Sequence, residues 1–208
     1  MRSLINILVL MKGGSPMRIA TINRKTKETD INLTLNLDGT GKSNVNTGIG
    51  FFDHMLTAFS FHSSIDLDVA CKGDLEVDDH HTVEDVGLAV ATGMIKALSD
   101  KKGINRYGMS YIPMDETLAR VVIDFSGRPA FVYKVDLQRD KLGTMDTQNI
   151  QEFFKSISNE AKMNLHMEVL YGDNDHHKVE ALFKAFGRAV KEAIKIVDDR
   201  LPSTKGVL

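Results

Sequence analysis

His80-His81-Thr82-Val83-Glu84 and His176-His177-Lys178-Val179-Glu180 are two copies of one pattern, His-His-x-x-Glu, and each opens a stretch with helical periodicity. Residues on a helix advance about 100° apiece, so His80 and Glu84 share a face, as do His176 and Glu180, while His81 and His177 point well off it. One cluster therefore does not close easily around one ion. A reciprocal arrangement does. The first helix gives His80 and Glu84 to one metal and lends His81 to a second, whose own helix gives His176 and Glu180 and lends back His177. Adjacent histidines at a single helix start are ordinarily capping or surface groups. Here four of the chain's seven histidines fall in two such clusters, each with a glutamate at helical spacing, and metal binding is the better reading.

The repeat extends beyond the ligands. Val83, Val86, Val90 and Ala97 lie 3, 6, 10 and 17 residues after His80, and Val179, Leu182, Phe186 and Ala193 keep those offsets from His176. Before the first cluster, Ile31, Leu33, Leu35 and Leu37 alternate as a strand, Phe51 to Phe61 has a helical pattern, and Ile65, Leu67, Val69 and Cys71 alternate again. Before the second, Leu118 to Phe125 and Ala130 to Leu137 read as a hairpin around Ser126-Gly127-Arg128-Pro129, followed by a helix over Ile150 to Ala161 and a strand over Leu165 to Tyr171. The order of elements matches. The expected fold is α+β: two pseudo-symmetric half-domains of ββαβα type, each a mostly antiparallel sheet with helices on one face, the helices packed together.

Composition bounds the function. A chain of 208 residues with 42% hydrophobic content can bury a substantial core, and a formal net charge of −2 gives no basic field for nucleic acid. No stretch approaches the length of a membrane span. The single cysteine, Cys71, sits in an alternating strand pattern and fits a reducing, cytoplasmic compartment. Residues 1–16 carry a short apolar run with no clear cleavage site and read as a disordered N-terminal extension. The half-domains then span 17–103 and 104–200, with a tail over 201–208.

Aligning the halves adds ligands. His54 stands 26 residues before His80 and precedes Met55-Leu56, while Glu152 stands 24 before His176 and precedes Phe153-Phe154. Pseudo-symmetry assigns His54, His81, His176 and Glu180 to one metal and His80, Glu84, Glu152 and His177 to the other. His166, alternating out of the Leu165, Met167, Val169 strand face, competes with Glu152, and His62 is read as non-ligating. Imidazole with carboxylate and no thiolate selects manganese, iron, cobalt, nickel or zinc, and four protein ligands plus open positions suit octahedral manganese or iron best.

The residues Thr47-Gly48-Ile49-Gly50-Phe51-Phe52-Asp53-His54-Met55-Leu56, Asp78-Asp79-His80-His81-Thr82-Val83-Glu84-Asp85 and Asp175-His176-His177-Lys178-Val179-Glu180-Ala181-Leu182-Phe183-Lys184-Ala185-Phe186 resemble the imidazoleglycerol-phosphate dehydratase family. Lys27-Glu28-Thr29, Pro113-Met114-Asp115-Glu116, Ser126-Gly127-Arg128-Pro129 and Ser203-Thr204-Lys205-Gly206 support it, and the resemblance runs from about Met17 to the C-terminus. It implies a ribosomal protein S5 domain 2-like fold and a lyase of histidine biosynthesis with two Mn2+ per active site, removing water from imidazole glycerol phosphate to give imidazole acetol phosphate. It also implies a homo-oligomeric, 24-subunit shell with sites between subunits and metals shared between chains. Several relatives carry histidine where this chain has Glu152; a carboxylate can ligate there.

Loss of hydroxide beside an imidazole is helped if both ring nitrogens bind metals and the ring becomes an imidazolate, while a base takes the neighbouring carbon proton. Glu180 is the candidate base and Glu28 the candidate acid, the two roles being exchangeable. A phosphorylated substrate calls for Arg106, Arg128, Lys184, Ser203, Thr204 and Lys205, beside Glu28 and His54. Asp115 and Glu116 are candidates for groups behind the ligands. A dinuclear metallohydrolase acting on a phosphorylated small molecule is the alternative, and metal storage or sensing a third reading that leaves the cations and Glu28 without a task.

Overall fold

A computed structural model describes residues 11–12 and 15–208, with side chains from Met17 onward. Residues 1–10, 13 and 14, most of the expected N-terminal extension, lie outside the described residues. Its remainder pairs β1 (Met11–Lys12) with β2 (Ser15–Pro16).

The first repeat contains β3 (Ile19–Lys25), β4 (Thr29–Asn36), β5 (Ser43–Asn46), α1 (Gly50–Ser63), β6 (Asp66–Gly73) and α2 (His80–Leu98). The second contains β7 (Tyr107–Met114), β8 (Thr117–Asp124), β9 (Ala130–Lys134), the two-residue strands β10 (Lys141–Leu142) and β11 (Met145–Asp146), α3 (Gln148–Ala161), β12 (Asn164–Tyr171) and α4 (Asp175–Ala193). The two four-stranded sheets run β3-β4-β6-β5 and β7-β8-β12-β9, so their topology is identical. In each, two strand pairs are antiparallel and the last is parallel.

The structure corrects the expected hairpin around Ser126–Pro129. β8 pairs with β7, not β9, and β9 lies parallel to β12 with Ala130 opposite Asn164. Alternation reports which face of a strand is buried but carries no information on which strand lies beside it, and the short loop crosses over the slot that β12 fills. Each unit is therefore βββαβα, one strand richer than expected.

The inward faces of β4 (Ile31, Leu33, Leu35) and β8 (Ala119, Val121, Ile123) are buried under the helices. All eight packing positions shared by α2 and α4 are buried as well, from Val83 and Val179 to Ala97 and Ala193. The helices join the repeats: α2 packs on α3, and α1 on α4. These two contacts exchange under the pseudo-twofold that maps α1 onto α3 and α2 onto α4. Glycine permits both approaches. A Cβ on Gly87 would stand 3.0 Å from the Phe153 carbonyl oxygen, and one on Gly187 would stand 2.9 Å from that of Phe59.

Phenylalanines fill the junction. Phe52 meets Phe153 edge-on at 5.1 Å, Phe59 stacks on Phe186 at 5.3 Å, and Phe154 lies 4.7 Å from Phe183. Burial of each ring stabilises by about 1.5–3 kcal/mol, with aromatic pairing adding to it. Phe52, which meets Phe153 of the other half, is fully buried, so Phe52→Ala is expected to lower the unfolding free energy by about 3–5 kcal/mol in urea titration. A loss below about 1 kcal/mol would show that the junction is not where the halves are held.

Candidate metal centre

Both His-His pairs sit where a strand hands over to a helix, and each first turn is fixed by a side-chain acceptor. Asn174 Oδ1 accepts from the His176 and His177 amides at 2.9 and 3.4 Å, and Asp78 Oδ1 accepts from the His80 amide at 2.8 Å. Helical spacing then brings His176 Nε2 to 3.0 Å from Glu180 Oε2, and His80 Nε2 to 3.4 Å from Glu84 Oε2.

His54 and Glu152 each occupy the fifth position of α1 and α3, as their sequence offsets imply. His54 crosses the α1–α4 junction to place Nε2 3.4 Å from Glu180 Oε2. His54, His176 and Glu180 offer ligand atoms that all lie within 4.8 Å of one another, the one such group among the described residues. Lys184 Nζ holds the other Glu180 oxygen at 2.8 Å. Burial alone would raise the Glu180 carboxyl, but Lys184, His176 and His54 outweigh it and hold the group below its usual range.

The mirrored set is looser. His80 Nδ1 meets Asn149 Oδ1 of α3 at 3.0 Å, a contact that orients the ring with Nε2 toward Glu84. Glu152 turns instead to Lys155 Nζ at 3.0 Å, a cation one turn on where α1 has Thr57. His166 lies exposed on the outer face of β12, opposite the face that Leu165 and Met167 bury against the helices. His62 ends α1 with its imidazole lowered by burial first, then by Lys184 and Arg188.

His81 and His177 join neither group. His81 Nδ1 is 3.0 Å from Asp74 and its Nε2 is 3.8 Å from Glu28; His177 Nδ1 is 2.8 Å from Glu116 and its Nε2 is 3.6 Å from Asp115. A carboxylate accepting from Nδ1 orients the ring and leaves Nε2 as the atom available to a ligand. The Asp74 hydrogen bond raises His81's pKa. Glu116, which also accepts from the Asp173 and Asn174 amides, is held far below the usual carboxylate range by the Asn174 amide first and His177 next. Of these partners, Asp74 and Asn149 escape sequence reasoning, because neither lies at helical spacing from the histidine it orients.

The candidate phosphate ligands divide. Lys184 stands against Glu180. Arg106 is clamped by Asp124 at 2.6 and 3.1 Å, donates to the Pro202 carbonyl at 2.8 Å, and with Ser203 and Thr204 lines an open cavity of about 510 Å³. None of the metal candidates lines that cavity. Arg128 and Lys205 are exposed, and Arg128's carbonyl is held by Ser126 and Asn164. Among the described residues no helix is long and apolar enough to cross a membrane.

A family model described as imidazoleglycerol-phosphate dehydratase matches residues 47–190. A protein of that name from Exiguobacterium sp. is 58% identical over 91% of this chain and 98% of its own length. One from Clostridioides difficile is 53% identical over 92% of this chain and 100% of its own. Among solved structures, imidazoleglycerol-phosphate dehydratase from Staphylococcus aureus aligns with a TM-score of 0.78 at 41% identity, covering 86% of this chain and 99% of that one. A structure of the enzyme from Pyrococcus furiosus in complex with (S)-C348 aligns with a TM-score of 0.76 at 33% identity, covering 90% and 100%.

Proposed function

We propose that this chain, which belongs to the imidazoleglycerol-phosphate dehydratase family, is the hydro-lyase that converts imidazole glycerol phosphate to imidazole acetol phosphate in histidine biosynthesis, with two Mn2+ per active site. The observation that carries the site reading is an incompleteness. Each chain gathers His54, His176 and Glu180 in one place and His80 with Glu84 in another, while His81 and His177 are oriented elsewhere by Asp74 and Glu116. Two partial ligand sets on one chain are completed by a second copy: His81 joins His54, His176 and Glu180, and His177 joins His80, Glu84 and Glu152. That need supports a homo-oligomer with sites at its interfaces, for which the family resemblance gives a 24-subunit shell.

The donors fit hard-to-borderline divalent ions: imidazole nitrogens and carboxylates, no thiolate, and Nδ1 partners that aim Nε2 outward. His54, His176 and Glu180 with a second chain's His81, and His80, Glu84 and Glu152 with a second chain's His177, would hold the ions, which would supply Lewis-acid polarisation of the substrate ring. The protein does the rest. Glu180, kept ionised by Lys184, takes the proton from the side-chain carbon one removed from the ring, and the C–H electron pair forms the new C=C bond. Glu28 protonates the hydroxyl on the carbon beside the ring, which leaves as water as its C–O bond breaks, and the enol left on the middle carbon becomes the ketone as the ring-adjacent carbon takes up a proton. Lys184, Arg106, Arg128, Ser203, Thr204 and Lys205 bind the phosphate, the 201–208 tail closing the site beyond the half-domains at 17–103 and 104–200. The single, unpaired Cys71 accords with work in the cytoplasm.

The test is co-assembly. His81→Ala and His176→Ala chains, each inactive alone, are refolded together and assayed by the ultraviolet absorbance of imidazole acetol phosphate. Recovery of a substantial fraction of activity is expected. No recovery contradicts shared sites, and release of inorganic phosphate in place of that product points to a hydrolase.

A further inference from the structure

Glu28 sits in the turn Thr26–Glu28 between β3 and β4, whose three residues are exposed. Behind the tip lies a carboxylate that the proposed chemistry does not use. Asp85, on α2 one turn after His81, is buried. Its Oδ1 accepts from Arg24 Nη2 at 2.7 Å, at the end of β3, and its Oδ2 accepts from Thr29 Oγ1 at 2.5 Å, at the start of β4. Asp85 thus grips both legs of the hairpin at its neck. Thr26 Oγ1 accepts from the Glu28 and Thr29 amides at 3.1 and 3.0 Å, and the Asp74 amide donates to the Glu28 carbonyl at 3.1 Å. Asp74 is the group that orients His81. The helix bearing His81 and the turn bearing Glu28 are therefore joined twice, once at the neck and once at the tip.

The other repeat solves the same problem differently. Its hairpin turn, Asp115-Glu116, is tied directly by Glu116 to the Asp173 and Asn174 amides and to His177. At the position matching Asp85, five residues after the first histidine, stands Ala181. The neck clamp belongs only to the half whose hairpin carries Glu28.

We infer that Asp85 is a positioning residue, which through Arg24 and Thr29 holds Glu28 in register with His81 for the proton step. This rests on the reading of Glu28 as a group that acts on the substrate. A displacement of about 1 Å at a reacting group costs on the order of a hundredfold in rate, and a freed hairpin allows that much.

The test is a double-mutant cycle on the assembled, metal-loaded enzyme. Asp85→Asn is expected to lower kcat by about ten- to a hundredfold with KM within about twofold and ion content unchanged. On a Glu28→Gln background the same substitution is expected to change kcat by less than about twofold, because no carboxylate remains to be placed. Thr29→Val, which loosens one leg and leaves Arg24 paired, should give about a threefold loss in kcat that also vanishes on that background. An undiminished loss on the Glu28→Gln background, a loss of bound metal, or unchanged kcat in both single variants overturns the positioning role. If Glu28→Gln alone leaves kcat intact, the reading of Glu28 fails first, and that outcome is seen separately in the same cycle.

Discussion

His176→Ala is expected to lower turnover by about a thousandfold or more and to remove one bound ion per chain, with the far-ultraviolet circular dichroism unchanged. His176 shares Glu180 Oε2 with His54: that oxygen lies 3.0 Å from His176 Nε2 and 3.4 Å from His54 Nε2. Without it one nitrogen and one carboxylate oxygen remain on this chain, and that carboxylate is already held by Lys184. Lewis-acid stabilisation is worth several kcal/mol, and each ~1.4 kcal/mol is tenfold in rate, which sets the expected size. The backbone of α4 should be indifferent, since His176 faces outward from a core built on Val179, Leu182 and Phe186. A variant that keeps both its ions and more than about a tenth of wild-type turnover contradicts the assignment.

Glu28→Gln separates proton transfer from metal binding. Removing a positioned general acid typically costs about 10²–10⁴-fold. Glu28 lies outside the group that can hold an ion, with its carboxylate 3.8 Å from His81 Nε2 and its side chain half exposed. Turnover should therefore collapse while ion content and thermal midpoint stay at wild-type values. Loss of an ion would instead make Glu28 a ligand, and unchanged turnover would remove it from the chemistry. The contrast with His176→Ala is the point: both variants are inactive, but only one loses metal.

How much of this was legible in the sequence varies with the physics behind each feature. The two helices that open on His-His were, because a buried helix repeats its apolar positions over many turns, and Val83 to Ala97 matches Val179 to Ala193 offset for offset. The equivalence of His54 and Glu152 was too, since both sit at the fifth position of helices of equal length. Strand β5 was not, for Ser43-Asn-Val-Asn46 holds one apolar residue and offers no alternation. β7 was missed for a related reason: its Tyr107, Met109 and Tyr111 face solvent, and the inward face begins with Gly108. The pairing of β9 with β12 depends on contacts distant in sequence, which local pattern does not encode.

At the site, residue types and spacing disclosed the ligand candidates but not what orients them. Asp74 on His81, Asn149 on His80 and Asp85 on the Glu28 hairpin are contacts between elements. The diversion of Glu152 to Lys155 was in principle readable, since the two are three apart on one helix. Whether Glu152 leaves Lys155 for an ion is decided by whether the second ion binds.

The most direct measurement is elemental analysis of the assembled protein after manganese loading and removal of loose metal, with His80→Ala and His176→Ala alongside. Two ions per chain in the parent protein and one in each variant is the predicted result. One ion or none per chain in the parent, with both variants matching it, would contradict the account of two mirrored ligand sets.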